Sequence, residues 1–114
     1  MDDEAKRHPV GAPGEVVVIF VSRRTPRDPE GYAAAAQEMD ALAARQPGYR
    51  GLHSARDADG IGITVSYWAD EAAALAWRAH PDHARVREAG REGWYDTYEV
   101  AVARIERAYR WDAC

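Results

Sequence analysis

The chain has 114 residues, with 15 Lys and Arg against 19 Asp and Glu and a formal net charge of −4. That length holds one domain, and the acidic balance gives no general attraction to a phosphate backbone, so nucleic acid is not an expected partner. The longest apolar run, Val16–Val21, is far short of a bilayer span, and Cys114 is the only cysteine; no membrane, internal disulfide or thiolate metal cluster is expected.

Residues 1–14 place Pro9, Gly11, Pro13 and Gly14 among charges and contain no apolar core. They read as a loose tail rather than a signal peptide, which favours a cytoplasmic location. A domain is expected over residues 15–111, with a short C-terminal tail at 112–114. Glu15–Arg24 predicts a strand that is apolar on both faces, so both faces should be covered. After a loop at Thr25–Asp28, Asp28 is placed to cap a helix that starts on Pro29 and reaches about Arg45. Its stripe is Tyr32, Ala35, Ala36, Met39, Leu42 and Ala43. Pro47-Gly48 ends it.

Tyr49–Arg56 predicts a second strand and Ile61–Trp68 a third, joined by a hairpin turn at Asp57–Gly60. Asp70 caps a second helix that breaks at His80-Pro81, and Pro81 opens another reaching about Glu92. Trp94–Trp111 alternates well enough for one long strand. Its apolar parity changes near Val102–Ala103, which implies a bulge or a change of packing partner. The order β-α-β-β-α-β is the ferredoxin-like, split βαβ arrangement, an α+β fold.

Large aliphatics are scarce: the chain has 23 Ala but only 17 Leu, Ile, Val and Phe together. Eleven aromatics, four of them Trp, must therefore supply much of the buried area. Two helices cover one face of the sheet and nothing remains for the other. A second copy of the sheet is the economical cover, with the long last strand pairing onto it. Tyr98, Tyr109 and Trp111 are expected contacts of that dimer.

Three stretches carry a resemblance. Tyr67-Trp68-Ala69-Asp70-Glu71, then Trp77 to His83, then Gly90-Arg91-Glu92-Gly93-Trp94-Tyr95 together closely resemble the antibiotic biosynthesis monooxygenase family over about residues 15–111. The resemblance implies a dimeric α/β barrel, a homodimer with a pocket in each subunit between sheet and helices. It does not imply one reaction. Members include cofactor-independent quinone-forming oxygenases, haem-degrading oxygenases and proteins without demonstrated activity.

The haem-degrading branch is matched at Trp77, but its haem-ligating His falls at Arg87 and its strand Asn at Phe20, Val21 or Ser22. The quinone-forming branch is matched at Trp68 and Arg87; its strand Asn falls at Thr64 and its helix Tyr is replaced by alanine. The first reading is thus a cofactor-independent monooxygenase of a small aromatic or polyketide-like substrate. The alternatives are a non-catalytic dimer binding a hydrophobic metabolite or haem, a haem-degrading monooxygenase, and a housekeeping dimer with a collapsed cavity.

His80, His83 and Arg87 are the candidate catalytic residues. Imidazole titrates near neutrality, so one His suits a general base, and Arg87 or Arg91 suits the developing anion. Against this, His80 is also placed to cap the helix at Pro81, and His83 to pack or lie at the surface. Trp68, Trp77, Thr64, Arg91, Trp94 and Tyr95 are candidate pocket residues, while the same aromatics would serve as plain core. A metal at His80-x-x-His83 lacks an obvious third ligand, and Asp57–Gly60 is too poor in ligands for calcium. No metal is expected.

Overall fold

The computed structural model describes residues 11–113. The Val-rich run lies at the centre of the sheet, where a strand apolar on both sides belongs. This strand, β1 (Val16–Arg24), pairs antiparallel with β3 (Ile61–Trp68) on one side and β4 (Tyr95–Arg104) on the other. β2 (Tyr49–Arg56) adds to β3, so the order is β2-β3-β1-β4. With α1 (Pro29–Ala43), α2 (Glu71–Ala79) and α3 (Pro81–Ala89), this is the ferredoxin-like α+β fold that the element order predicts. Both strands of the β2–β3 hairpin have the predicted bounds. The Asp57 carboxylate holds their turn by accepting from Asp59 and Ile61 N–H at 2.9 Å.

The helix starts follow their caps. Asp70 accepts from Ala73 N–H at 2.9 Å, which satisfies one of the free donors of the first turn of α2. Asp28 caps α1 from a left-handed conformation, φ 47°, which Asp tolerates better than most residues. Its Oδ1 accepts from Gly31 N–H and its Oδ2 from Trp94 Nε1. A Cβ at residue 31 would lie 2.1 Å from that carboxylate, so glycine makes the cap possible.

The core sits between the helices and one face of the sheet. Val16, Trp68, Ala43, Ala74 and Trp77 form its buried centre, with Val18, Met39, Leu42 and Tyr49 packed on it. By register, that face carries Val16, Val18, Phe20, Ser22 and Arg24 of β1, and Trp68, Ser66, Thr64 and Gly62 of β3. Tyr98, Val100 and Val102 of β4 share it. The opposite face carries Val17, Ile19, Val21, Ile61, Ile63, Val65 and Tyr67. Among the described residues no helix lies on that side.

Two bulges set which aromatics join the core face. Opposite Arg23 and Arg24, β4 holds Asp96 as one extra residue. Without it, Tyr95 would fall on the other face; with it, Tyr95 turns toward the helices beside Tyr98. Arg50 is the extra residue in β2 and does the same for Tyr49, whose ring meets Trp68 edge-on at 5.6 Å. No register shift occurs near Val102–Ala103, where the sequence parity suggests one.

The last strand is shorter than predicted. It ends at Arg104 because its partner β1 starts at Val16, and pairing runs out once Ile105 N–H has reached the Glu15 carbonyl. Tyr109 and Trp111 follow outside any strand and are exposed. The Tyr98 ring, expected at a dimer contact, packs on Phe20 on the helix side of the sheet. The helix at Pro81 ends at Ala89 and passes into a π-helical turn, Gly90–Trp94, before β4. Of the expected N-terminal tail, residues 1–10 lie outside the described residues. Gly14 is tied down by donating to the Ile105 carbonyl at 2.9 Å, and Gly11 and Ala12 donate to the Glu15 carboxylate. No helix among the described residues is long and apolar enough to cross a membrane.

Candidate functional site

Trp68 closes β3 and is fully buried, with its indole N–H satisfied by Ser66 Oγ at 2.9 Å. Trp77, on the inward stripe of α2, stacks on Trp68 at 6.2 Å, and His83 of α3 stacks on Trp77 at 4.5 Å with an interplanar angle of 13°. This three-ring stack fills the end of the sheet that the Ala-rich helices leave thin in aliphatics. His83 Nδ1 lies 3.1 Å from the Trp77 carbonyl. Because a carbonyl only accepts, Nδ1 carries the proton and Nε2 holds the free lone pair. Burial pulls the His83 imidazole below its ordinary range; the Trp77 carbonyl opposes this, and the charges of Arg87, Arg78 and His80 reinforce it.

His80 ends α2 and caps α3, its Nδ1 accepting from Asp82 N–H at 3.1 Å. Arg87 donates to the Arg78 carbonyl at 3.3 Å. The three candidate catalytic residues thus share the α2–α3 junction, and each has a ring or guanidinium nitrogen engaged in holding it together. A guanidinium is no axial ligand for haem iron, so Arg87 does not supply the nitrogen that haem binding would require there.

The remaining candidates gather at the other end of the same face. Phe20 meets Tyr95 at 5.5 Å and Tyr98 at 5.3 Å. Tyr32 of α1 meets Trp94 and Tyr95 edge-on, both at 5.9 Å. Thr64 pairs with Phe20 of this cluster across the register, and its Oγ1 contacts Ser54 Oγ at 3.1 Å. Burial first, and the neighbouring Tyr32 second, push the Tyr95 phenol up, so it stays protonated at neutral pH. Arg91, within the π turn, donates from Nε to the Tyr98 hydroxyl at 2.7 Å. Val100 and Val102, on the same face, remain 46% and 56% exposed. The helices therefore do not seal this part of the face, and Val100 and Val102 give β4 an open apolar stretch, the trough, beside Phe20 and the Tyr98–Arg91 pair.

Several members of this end were not read as site residues from the sequence: Tyr98, Ser22, Arg24, Tyr32 and Arg56. Strand alternation carries the signal for two of them, since Ser22 and Arg24 share the parity of Val18 and Phe20. A separate shallow groove of about 330 Å³ lies outside the trough, between Gln46–Gly48 and Ala72, Ala73, Ala76 and Trp77. Among the described residues no three His, Cys, Asp or Glu side chains group as metal ligands.

Comparison with known proteins agrees with the motifs. The antibiotic biosynthesis monooxygenase family matches residues 15–89. YqjZ of Bacillus subtilis is 46% identical over 95 residues, covering 83% of this chain and 82% of YqjZ. SnoaB, a cofactor-independent oxygenase from Streptomyces nogalater, superposes with a TM-score of 0.71 at 21% identity, covering 83% of this chain and 96% of SnoaB. A conserved protein from Methanosarcina mazei superposes at 0.75 with 10% identity, covering 84% of this chain and 97% of its own.

Proposed function

The chain belongs to the antibiotic biosynthesis monooxygenase family, and from that premise we propose that it is a cofactor-independent monooxygenase of a small aromatic, polyketide-like substrate. The likeness to SnoaB supports this reading at the level of the fold. The observation that carries it is the Tyr98–Arg91 pair beside an unsealed apolar trough. The Tyr98 hydroxyl accepts from a cation and keeps its own proton free to donate. A donor polarised in this way suits the oxygen of a phenolate or enolate, where charge develops as substrate loses a proton.

Of the residues expected to carry chemistry, His83 lies at the Trp68 end of the face, stacked outside Trp77, so it packs there and the substrate proton leaves to water on the open side of the Tyr98 end. His80 and Arg87 position α3. Thr64, Trp94 and Tyr95 border the substrate, and Trp68 and Trp77, expected in the pocket, form the packed end of the face. The electrons come from the substrate. Deprotonation of an anthrone-type CH2 gives a carbanion, which passes one electron to O2; the radical pair joins as a peroxide. Loss of water from the peroxide leaves the ketone, so anthrone and O2 give anthraquinone and water.

We place a second copy of the chain on the face carrying Ile19, Val21, Ile63 and Val65, an apolar sheet surface that no helix among the described residues covers. The functional test is oxygen uptake with anthrone. One O2 consumed per anthraquinone formed, at a rate proportional to protein, is expected. Uptake no faster than the uncatalysed reaction would overturn the reading in favour of a non-catalytic binding dimer.

A further inference from the structure

Ser22 is a buried polar side chain on the central strand, and it marks an unusual arrangement around Gly62. In the register, Ser22, Gly62 and Arg56 form one row across β1, β3 and β2 on the helix side. Arg56 does not leave the edge of the sheet for solvent. Its guanidinium lies over Gly62, where a Cβ would stand 2.5 Å from its Cζ. Only glycine leaves that space. From there Arg56 donates to the Gly60 carbonyl at 2.6 Å, to the Tyr32 hydroxyl at 2.9 Å and to Ser22 Oγ at 3.4 Å. A second cation joins it: the Arg24 guanidinium lies 3.9 Å above the centre of the Tyr32 ring and donates to the Trp94 carbonyl at 2.8 Å.

One phenol thus gathers two guanidiniums, and among the described residues no carboxylate forms an ion pair with either. The two nearest acids in sequence are occupied. Asp28 caps α1 and holds Trp94, and Asp57 closes the β2–β3 turn. Like charges held together without a counter-ion repel, and an arriving anion would relieve that while gaining charge-assisted hydrogen bonds. A plain strap between β2 and α1 would need neither the second arginine nor the space over Gly62.

We propose that Arg24 and Arg56 form the anchoring site for an acidic group on the substrate, so that an aromatic carboxylic acid is preferred over the neutral ring system alone. This rests on the trough being the substrate site. Thr64 and Phe20 stand one row along the sheet from Gly62 and Ser22, roughly 7 Å away, which is the reach of one aromatic ring from its carboxylate. The arginines hold the acid, and the ring lies along Phe20 and Thr64 toward Tyr98.

Fluorescence titration with 9-anthracenecarboxylate and its neutral counterpart 9-anthracenemethanol tests this without turnover. The wild type is expected to bind the acid at least about ten-fold more tightly, the scale of one or two charged hydrogen bonds. Arg56→Gln and Arg24→Gln should each remove most of that preference and leave the alcohol unchanged. Gly62→Ala should weaken the acid alone by displacing Arg56, and Arg56→Lys should restore part of the preference. Should Arg56→Gln fail to fold, Arg24→Gln and the loss of the wild-type preference at high salt carry the test. Equal binding of acid and alcohol, no binding of either, or a preference that survives both glutamine variants would overturn the proposal. The oxygenase reading fails separately: no oxygen uptake with an intact acid preference sinks the oxygenase alone, and uptake without that preference sinks the anchoring site alone.

Discussion

The helix side of the sheet is two surfaces joined along β1. At the Val16–Trp68 end, side chains satisfy one another: Trp68 is buried under Trp77, its N–H is spent on Ser66, and Ala43 and Ala74 fill the space around it. At the Ser22–Gly62 end, polar groups converge on Tyr32, Tyr95 and Tyr98 and retain unspent donors, while Val100, one row along, stays open. Both ends are aromatic. What separates them is whether their polar atoms have been used up, and that, more than aromatic content, distinguishes packing from a site.

Trp68→Ala is the heaviest test of this division. Removing a buried indole leaves a cavity and an unpaired Ser66 hydroxyl, so a loss of about 3–5 kcal/mol in chemical denaturation is expected. His83→Phe comes next and bears on the packed end. It keeps a flat ring against Trp77, so turnover on anthrone should be unchanged and only the stability should respond. The same residue has a pH signature. Its folded imidazole lies below the ordinary value of 6.5, so the unfolded state binds the extra proton first. The wild type should therefore be most stable above pH 6.5 and lose stability as pH falls from there toward the lower folded value. That slope should be shallower in His83→Phe when melting temperature is followed against pH. Asp28→Ala, which removes a cap and the Trp94 contact together, should cost about 1 kcal/mol in thermal unfolding.

Much of the first surface was legible in the sequence. The α1 stripe from Tyr32 to Ala43 faces inward as its spacing requires, and the β2–β3 hairpin has the bounds its turn residues set. The second surface was less so, for identifiable reasons. A single extra residue, Asp96, turns Tyr95 and Tyr98 to the same side, and a bulge of one residue leaves no mark in composition. The alternation from Ala103 to Trp111 looked like strand because pattern alone does not say where a partner strand ends. Arg56 sits on an edge strand, where charge ordinarily means solvent. Only the register, which brings Gly62 and Ser22 beside it, shows that its guanidinium lies inward.

The most direct test is Tyr98→Phe, with oxygen uptake on anthrone and thermal unfolding measured on the same sample. The change deletes one hydroxyl at the polar end and no packed atom. Turnover should fall about 10- to 100-fold, the scale of losing one polarised donor to a developing oxyanion, with the melting temperature held within a degree or two. Unchanged turnover, or a loss of activity that only follows a loss of stability, would contradict the assignment of chemistry to this end of the sheet.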